Sequence, residues 1–221
     1  MKYRGVVYVL VLGFMFSCAN EKISNDNDGG AILKESILAA YRDFGESFSM
    51  KRSPLLFVGG AVADSCESYF DTMLKYKISE TIHNMQVKSE YLVCDALKII
   101  SESPDVSVNI NTSSMGLDLL SKLDLRTFPN SLSRLVGENS YTLKSLFPEN
   151  VEANGPVAIV DTDDWIITLE VVAVVQVNNN SIFDWVVQFS DESKSGNYRS
   201  YETLIIYDPE RADILQAKLY P

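Results

Sequence analysis

The spacing of apolar residues predicts helices in the first two thirds of the chain. Apolar side chains recur at intervals close to 3.6 residues, as on one face of a helix, in residues 31–50, from Asp64 onward, in residues 79–101 and in residues 116–125. Pro54 and Pro104 follow the first and third of these segments, and proline ends a helix because it cannot continue the backbone hydrogen bonds. This part of the chain is therefore predicted to be mainly helical.

The apolar period changes to two in the last third, which is the spacing of β-strands. Strands are predicted over residues 157–160, 165–177, 183–189 and 201–207, with an earlier short strand over residues 106–110. Asn178 to Ser181 form a predicted turn after the longest strand, because asparagine tolerates positive φ. In the segment 183–189 the large apolar side chains share one face, whereas Asp184 and Gln188 lie on the other.

These patterns predict an α+β fold in a single domain over residues 31–221. Its helical part covers residues 31–148, in which the second and third helices form a helical hairpin. Its β-rich part covers residues 156–221 and forms an antiparallel meander against which the helices pack.

Residues 1–17 have the three parts of a secretory signal peptide. Lys2 and Arg4 supply positive charge, an apolar run follows over residues 6–16, and Ser17 is the small residue before the cut. The run is too short to cross a hydrocarbon core of roughly 30 Å as a helix that rises about 1.5 Å per residue. The segment is therefore predicted to be removed on export, with an uncleaved anchor as the weaker alternative.

The sequence Met15-Phe16-Ser17-Cys18 resembles the lipobox of bacterial lipoproteins. Ser17 and Cys18 fit the family pattern, whereas the family usually has leucine in place of Met15 and a small residue in place of Phe16. The resemblance implies that Cys18 carries a diacylglyceryl group, that the signal peptide is cleaved just before it, and that the new N-terminus is acylated. Ordinary signal-peptide cleavage near Cys18 is the alternative.

Residues 18–30 are predicted to form a flexible tether, because they are polar, rich in asparagine and aspartate, and end in two glycines. The two residues after the cysteine are Ala19 and Asn20, and neither is an aspartate. By the same resemblance, this implies sorting to the outer membrane. Each buried CH₂ contributes about 0.8 kcal/mol, so several acyl chains make a stable anchor. The predicted location is the bacterial cell envelope, with a lipid anchor in the outer membrane and the domain facing the periplasm or the cell surface.

The chain is acidic, with 19 Lys and Arg against 30 Asp and Glu and a formal net charge of −11. Loss of Lys2 and Arg4 with the signal peptide makes this about −13. Nucleic acid is excluded as a partner class, because its binding needs clustered basic residues. Anionic lipid repels such a surface too, so the predicted membrane contact is the N-terminal lipid alone.

Two cysteines remain once Cys18 is lipidated, and they are Cys66 and Cys94. In an oxidising compartment two cysteines form a natural pair. Their disulfide would close a loop of about 29 residues and stabilise the fold by about 3.6 kcal/mol in the chain-entropy model. Two buried free thiols are the alternative.

Asp161, Asp163 and Asp164 form a tight acidic cluster at a predicted strand entry, and clustered carboxylates can bind Ca²⁺ or Mg²⁺. The cluster lacks the glycine and closing glutamate of a calcium-binding loop, so the alternative is a solvated acidic turn. Asp191 and Glu192 would join it only if the fold brought the two loops together. No cofactor is predicted.

Three further features have simpler structural interpretations. His83 is the only histidine and has no motif around it, so it is predicted to be structural. Gly59 and Gly60 are predicted to form a turn, because no phosphate-binding lysine follows them. The aromatic residues of the β-rich part form either core or a binding surface; they are Trp165, Phe183, Trp185, Phe189, Tyr198, Tyr201 and Tyr207.

The globular part is predicted to be a non-enzymatic binding or assembly module, with a protein or small ligand as its partner. One alternative is a periplasmic immunity or inhibitor protein, since acidity suits a basic toxin. The other is an envelope hydrolase with a carboxylate or metal site at Asp161, Asp163 and Asp164.

Overall fold

A computed structural model describes residues 31–103 and 110–220 of the chain. The predicted signal peptide, the lipidation site Cys18 and the tether over residues 18–30 lie outside the described residues. The predicted strand around Val106 and Val108 lies outside them as well.

The N-terminal part consists of short helices and short strands. In chain order they are β1 (Ala31–Ile32), α1 (Glu35–Arg42), α2 (Phe44–Ser49), β2 (Leu55–Leu56), β3 (Val62–Ala63), α3 (Cys66–Met73), α4 (Ile82–Val87), α5 (Leu92–Glu102), α6 (Met115–Lys122) and α7 (Leu143–Leu146). Short 3₁₀ turns lie at Lys88–Tyr91, Leu125–Thr127 and Ser131–Arg134. Helix α5 ends two residues before Pro104, as the sequence predicts.

Two predicted long helices are interrupted in the structure. The segment 31–50 begins as strand β1, because Ala31 and Ile32 pair with strand residues Val174 and Ala173, and it breaks again at Asp43 between α1 and α2. The segment 79–101 divides into α4, a 3₁₀ turn and α5. The predicted helical hairpin is not shown, since residues between α3 and α4 include an extended stretch in which Ile78 bridges to Phe57.

The C-terminal part forms the main sheet. Its strands are β4 (Val151–Asn154), β5 (Val157–Asp161), β6 (Trp165–Val175), β7 (Asp184–Ser193), β8 (Arg199–Ile206) and β9 (Ala217–Leu219). These strands lie in sequence order, and every neighbouring pair is antiparallel. Strand β1 pairs with Ala173 and Val174 of β6, past the residues of β6 that pair with β5. The predicted antiparallel sheet of the C-terminal strands is therefore confirmed.

The β-rich part begins earlier than predicted. Strand β4 lies in the segment 149–156, which has no apolar alternation strong enough to predict a strand, and it pairs with β5 across a tight turn at Gly155 (φ 53°). The β-rich part thus begins at Val151, and the predicted helical part contains strands β1 to β3. The predicted turn after β6 is present, with Asn179 at φ 55°.

Both faces of the sheet carry apolar residues that pack against helices and turns. On one face Leu119 of α6 and Phe128 pack with Val187 and Phe189 of β7. On the other face Ile37 of α1 and the α5 residues Ile99 and Ile100 pack with Val186 and Ile205. Central strands covered on both sides explain why β6 reads as a continuous apolar run.

Candidate functional site

Part of one face of the sheet is left open beside the helices. Helices α1 and α5 cover the end of this face that contains Val186 and Ile205. The rest forms the floor of a cavity of about 280 Å³, here called the sheet groove. Its floor residues are Thr168, Glu170, Gln188, Ser190, Glu192 and Tyr201, and its wall residues are Lys34, Ser89 and Leu92.

The strand register explains why polar side chains share this floor. Glu170 lies opposite Gln188 and Thr168 lies opposite Ser190, while Ser190 also lies opposite Tyr201 on β8. Residues two apart on a strand point to the same face, so these side chains stand next to one another on three adjacent strands. The polar floor is thus a direct consequence of antiparallel pairing.

Lys34 reaches the floor because of a β-bulge in β6. The register shifts between Val171 and Ala173, and the carbonyl of the extra residue, Val172, accepts hydrogen bonds from the backbone N–H groups of Leu33 (2.8 Å) and Lys34 (3.3 Å). Bulges commonly redirect the chain beside functional sites. Here the bulge fixes the segment that joins β1 to α1, and with it the start of the Lys34 side chain.

The Lys34 ammonium joins two floor residues. Its Nζ donates to Glu170 Oε2 at 2.6 Å and to Gln188 Oε1 at 2.8 Å. The Lys34 and Glu170 side chains are about one third and one quarter exposed, so water screens this pair only partly. Gln188 is 8% exposed and keeps its amide nitrogen as a donor for a further partner.

A second ion pair closes the other end of the floor. Arg199 on β8 donates to the Glu192 carboxylate on β7, and the two residues lie opposite each other in the strand register. Burial, followed by the neighbouring Glu192, raises the pKa of Tyr201. The phenol of Tyr201 is thus hydrogen-bonded to the Glu192 carboxylate, to which it donates.

Two neighbouring cavities extend the sheet groove. The first, here called the Arg52 cavity, measures about 360 Å³, shares Lys34, Ser89, Leu92 and Gln188 with the groove, and ends at Ser47 and Arg52. The second, here called the β8 cavity, measures about 410 Å³ and shares Tyr201 with the groove. It lies between β8 and α4 and is lined by Ile78, Met85 and Lys88, among others.

A buried carboxyl group fixes the helical wall against the sheet. Asp95 on α5 is 5% exposed, and its Oδ2 accepts a hydrogen bond from Thr203 Oγ1 at 2.8 Å. Burial raises the pKa of Asp95 to about 7, although the Thr203 hydrogen bond and the nearby Lys88 lower it. Thr203 lies opposite Gln188 in the register, so this contact anchors α5 directly beside the groove floor.

The predicted cysteine pair lies close to the Arg52 cavity. The Sγ atoms of Cys66 on α3 and Cys94 on α5 are 1.99 Å apart, at disulfide distance, and both residues are fully buried. Arg52 directs its guanidinium towards both sulfurs, at 3.2 Å and 3.4 Å, and donates to the Ser47 carbonyl at 2.9 Å. The Nε and Nη2 donors of Arg52 are thus used within the protein.

The candidate metal site does not assemble. Asp161 ends β5 and forms an ion pair with Lys194, while Asp163 and Asp164 are exposed in the turn before β6. Within residues 31–103 and 110–220, no group of three or more His, Cys, Asp or Glu residues is arranged to hold a metal ion.

The loop carboxylates considered with these aspartates point elsewhere. Asp191 is fully buried and accepts from the Ser131 backbone N–H at 2.9 Å, whereas Glu192 belongs to the groove. Adjacent residues of a strand face opposite sides of the sheet, so these two carboxylates cannot share one site.

Two other predicted features lie outside the groove. His83 is exposed on α4, with its Nε2 atom 2.7 Å from the Pro54 carbonyl oxygen. Gly59 and Gly60 form the turn between β2 and β3, and both have positive φ, which favours glycine.

The aromatic residues divide between core and surface. Trp185 and Phe189 are buried, and Trp165 contacts Tyr198 edge to face with ring centroids 5.4 Å apart. Only part of the set reaches the candidate site: Phe189 and Tyr201 are among the residues that line the sheet groove, and Tyr198 and Tyr201 line the β8 cavity.

Sequence reasoning named Glu192 and Tyr201 for other roles and missed the remaining residues that form the groove. Lys34 lies in a segment predicted to be helical, and Glu170 interrupts a β-branched run. The signal that was available is the polar face opposite the aromatic residues of β7, which holds Gln188, Ser190 and Glu192. The sequence predicts that this polar face is exposed to solvent, because it does not show which half of the face the helices cover.

Comparison of the chain with protein-family models, with curated proteins and with solved structures gives no match. The part of the chain that the structure describes contains no helix that is both long and apolar enough to span a membrane.

Proposed function

We propose that this chain is a lipid-anchored protein of the bacterial cell envelope that acts as a non-enzymatic binding module, with the sheet groove as its ligand site. The observation that carries the proposal is the open polar floor on a sheet face that is otherwise packed against helices. The open cavities beside this floor give a ligand room to lie across three strands.

The groove is suited to binding because its polar groups are held in place before a ligand arrives. Lys34 is fixed by the bulge at Val172, and Arg199 and Glu192 are fixed by their pairing across β7 and β8. Groups carried on strands keep their positions more accurately than groups on loops, and such preorganisation lowers the entropic cost of binding.

The same arrangement favours binding over catalysis. Both floor carboxylates, Glu170 and Glu192, are engaged by a cation in an ion pair. A general acid or base must exchange a proton with its substrate, and a nucleophile must be activated by a neighbouring base. The groove instead presents hydroxyl, amide and paired charged groups, whose common property is hydrogen bonding.

The location rests on the N-terminal sequence. The lipobox resemblance at Met15-Phe16-Ser17-Cys18 supports lipid attachment, and the acidic charge of the chain supports a membrane contact made by lipid and not by the protein surface. Ala31, where the domain begins, is three residues from Lys34, so the groove lies close to the point where the predicted tether enters the domain.

Hydrogen exchange read by mass spectrometry tests whether the groove is a ligand site. The full-length acylated protein is incubated with a protein-free aqueous extract of its native cell envelope. We expect slower exchange in peptides that cover Gln188 to Tyr201 and in those that contain Lys34, because a bound ligand protects the strands beneath it.

The substitution Gln188→Ala removes an amide from the centre of the floor and should abolish this protection. The matched control Glu152→Gln, on the exposed side of β4, should leave it unchanged. Protection that persists in Gln188→Ala, or that is confined to other peptides, contradicts the proposal.

A further inference from the structure

We infer that the sheet groove takes a neutral oligosaccharide, an elongated uncharged ligand whose hydroxyl groups both donate and accept hydrogen bonds. This inference rests on the proposed function, since it names the ligand class of the same groove. Its support comes from the pairing of charges in the groove, the chemistry of the remaining polar groups and the shape of the connected cavities.

The charges that line the sheet groove neutralise one another. Lys34 pairs with Glu170 at 2.6 Å, and Glu192 pairs with Arg199. In the adjoining β8 cavity Lys88 pairs with Glu202 at 2.6 Å, with both side chains about one quarter exposed. A charged ligand would have to break one of these half-buried ion pairs. The side chain that lost its partner would then be a partly buried unpaired charge, which costs free energy.

The two charged lining residues that belong to none of these ion pairs, Glu80 and Arg52, have opposite charges. Glu80, which is exposed, lines the β8 cavity, and the whole chain has a net charge of −11. Arg52 lines the Arg52 cavity and keeps its positive charge, because its hydrogen-bond partners, the Ser47 carbonyl and the disulfide sulfurs, are uncharged. The charged residues that line the three cavities therefore cancel, while the net charge of the whole chain repels polyanions such as uronic acid chains.

The remaining polar groups match the chemistry of sugar hydroxyls. Thr168 and Ser190 present hydroxyl groups that can donate or accept, and the Gln188 amide nitrogen donates. The Tyr201 hydroxyl donates to Glu192 and can still accept. A sugar hydroxyl has the same double capacity, so it can bridge a donor and an acceptor of the floor. The ion pairs add oriented acceptors and donors without adding net charge.

The adjoining cavities indicate an elongated ligand. The sheet groove shares lining residues with both neighbours, among them Gln188 with the Arg52 cavity and Tyr201 with the β8 cavity. Tyr201 is half-buried and lines two cavities, and an aromatic ring is an apolar surface against which a pyranose ring can stack. A chain of several sugar units fits this series, whereas one small molecule would occupy a single cavity.

Isothermal titration calorimetry on the full-length acylated protein tests the inference. The probes are hexamers of five neutral sugars, namely cello-, xylo-, malto-, manno- and chito-oligosaccharides, with hexagalacturonate as the acidic counterpart. The protein is kept in a polyoxyethylene detergent, because alkyl glycoside detergents are themselves sugars. We expect at least one neutral hexamer to bind, with an affinity that changes less than twofold between 50 mM and 500 mM NaCl, since salt screens only charges.

Variants of the floor place the binding in the groove. Gln188→Ala and Tyr201→Ala should each weaken the affinity about tenfold or more, the size expected for loss of one to two kcal/mol of contact. Tyr201→Phe keeps the ring and should weaken the affinity less than Tyr201→Ala does. The phenylalanine variant also serves as the test if the alanine variant folds poorly. Glu152→Gln and Lys144→Ala, both exposed and distant in sequence, should leave it unchanged.

The possible failures are distinguishable. If no neutral hexamer binds, or if only hexagalacturonate or a cationic or extended peptide protects the groove in hydrogen exchange, the ligand class is wrong while the groove remains a binding site. If a neutral hexamer binds equally well to Gln188→Ala and Tyr201→Ala, the oligosaccharide site lies elsewhere and the inference is overturned. If no ligand of any class protects the groove, the proposed function fails together with the inference.

Discussion

Asp95 is the residue whose environment departs most from that of an ordinary surface carboxyl group. It lies between α5 and β8, is 5% exposed and accepts a hydrogen bond from Thr203. Burial raises its pKa to about 7, from a usual value of 3.8. At neutral pH the group is therefore close to its midpoint, beside the floor of the groove.

This environment makes the stability of the protein depend on pH. Because the folded protein binds the Asp95 proton more tightly than the unfolded chain does, the carboxyl contributes most stability below its usual pKa of 3.8. The contribution is lost as the pH rises towards and through about 7.

Asp95→Asn replaces the carboxyl with a neutral amide that can still accept from Thr203, so this part of the pH dependence should disappear. We expect the free energy of unfolding, measured with urea between about pH 4 and pH 8, to fall less steeply in the variant, by on the order of a few kcal/mol over the range. Asp163→Asn, an exposed control, should follow the parent profile. Parallel profiles for the parent and Asp95→Asn would contradict the assignment.

At the scale of elements, the contact of α6 with the sheet depends on one glycine. The Gly116 N–H donates to the Gly155 carbonyl at 2.8 Å, and helix α6 lies directly on the turn between β4 and β5. A Cβ atom at position 116 would stand 2.2 Å from the Val157 carbonyl oxygen. The helix can approach the strand backbone this closely only without a side chain.

Gly116→Ala should therefore destabilise the fold, by about 1 to 3 kcal/mol or more, because backbone has to move to remove the overlap. Gly45→Ala is the matched control, since position 45 lies in helix α2 with no atom within 4 Å of an added Cβ. Alanine there should be neutral or stabilising by up to about 1 kcal/mol. Thermal or urea unfolding measures both, and equal effects of the two substitutions would show that α6 does not pack as closely as described.

The whole molecule combines a predicted membrane anchor with a domain that carries the groove. The acidic charge opposes binding of the protein surface to anionic lipid, so the anchor has to supply the attachment. This division of roles predicts that attachment and folding are independent, because the predicted lipidation site lies outside the elements of the sheet and its helices.

Cys18→Ala should therefore leave the protein without acyl chains. The variant is then either released from the membrane without detergent or keeps its signal peptide, and in both cases the domain keeps its fold. Intact mass spectrometry of the N-terminus and fractionation of the native cells measure the first effect, and the urea unfolding curve measures the second. An unchanged N-terminal mass, or membrane association of a Cys18→Ala chain that has lost its signal peptide, would contradict the lipid anchor.

The features that could be predicted from the sequence are those that depend on neighbouring residues. Period-two patterns predicted β5 to β8, Asn179 takes the positive φ expected for its turn, and Pro104 follows the end of α5. The pairing of Cys66 with Cys94 was predictable as well, because few cysteines leave few choices. These predictions succeed because backbone preferences and the alternation of side chains act over a few residues.

The positions at which the helices break, and the polar residues that meet, depend on long-range packing. Ala31 and Ile32 fit a helical pattern, yet they form a strand because β6 offers them an open edge. Lys34 meets Glu170 and Gln188, which are 136 and 154 residues away, only because a bulge and the strand register bring them together. Asp161, Asp163 and Asp164 are neighbours in sequence but form no metal site, since convergence in space is set by strand pairing and packing, which local sequence does not encode.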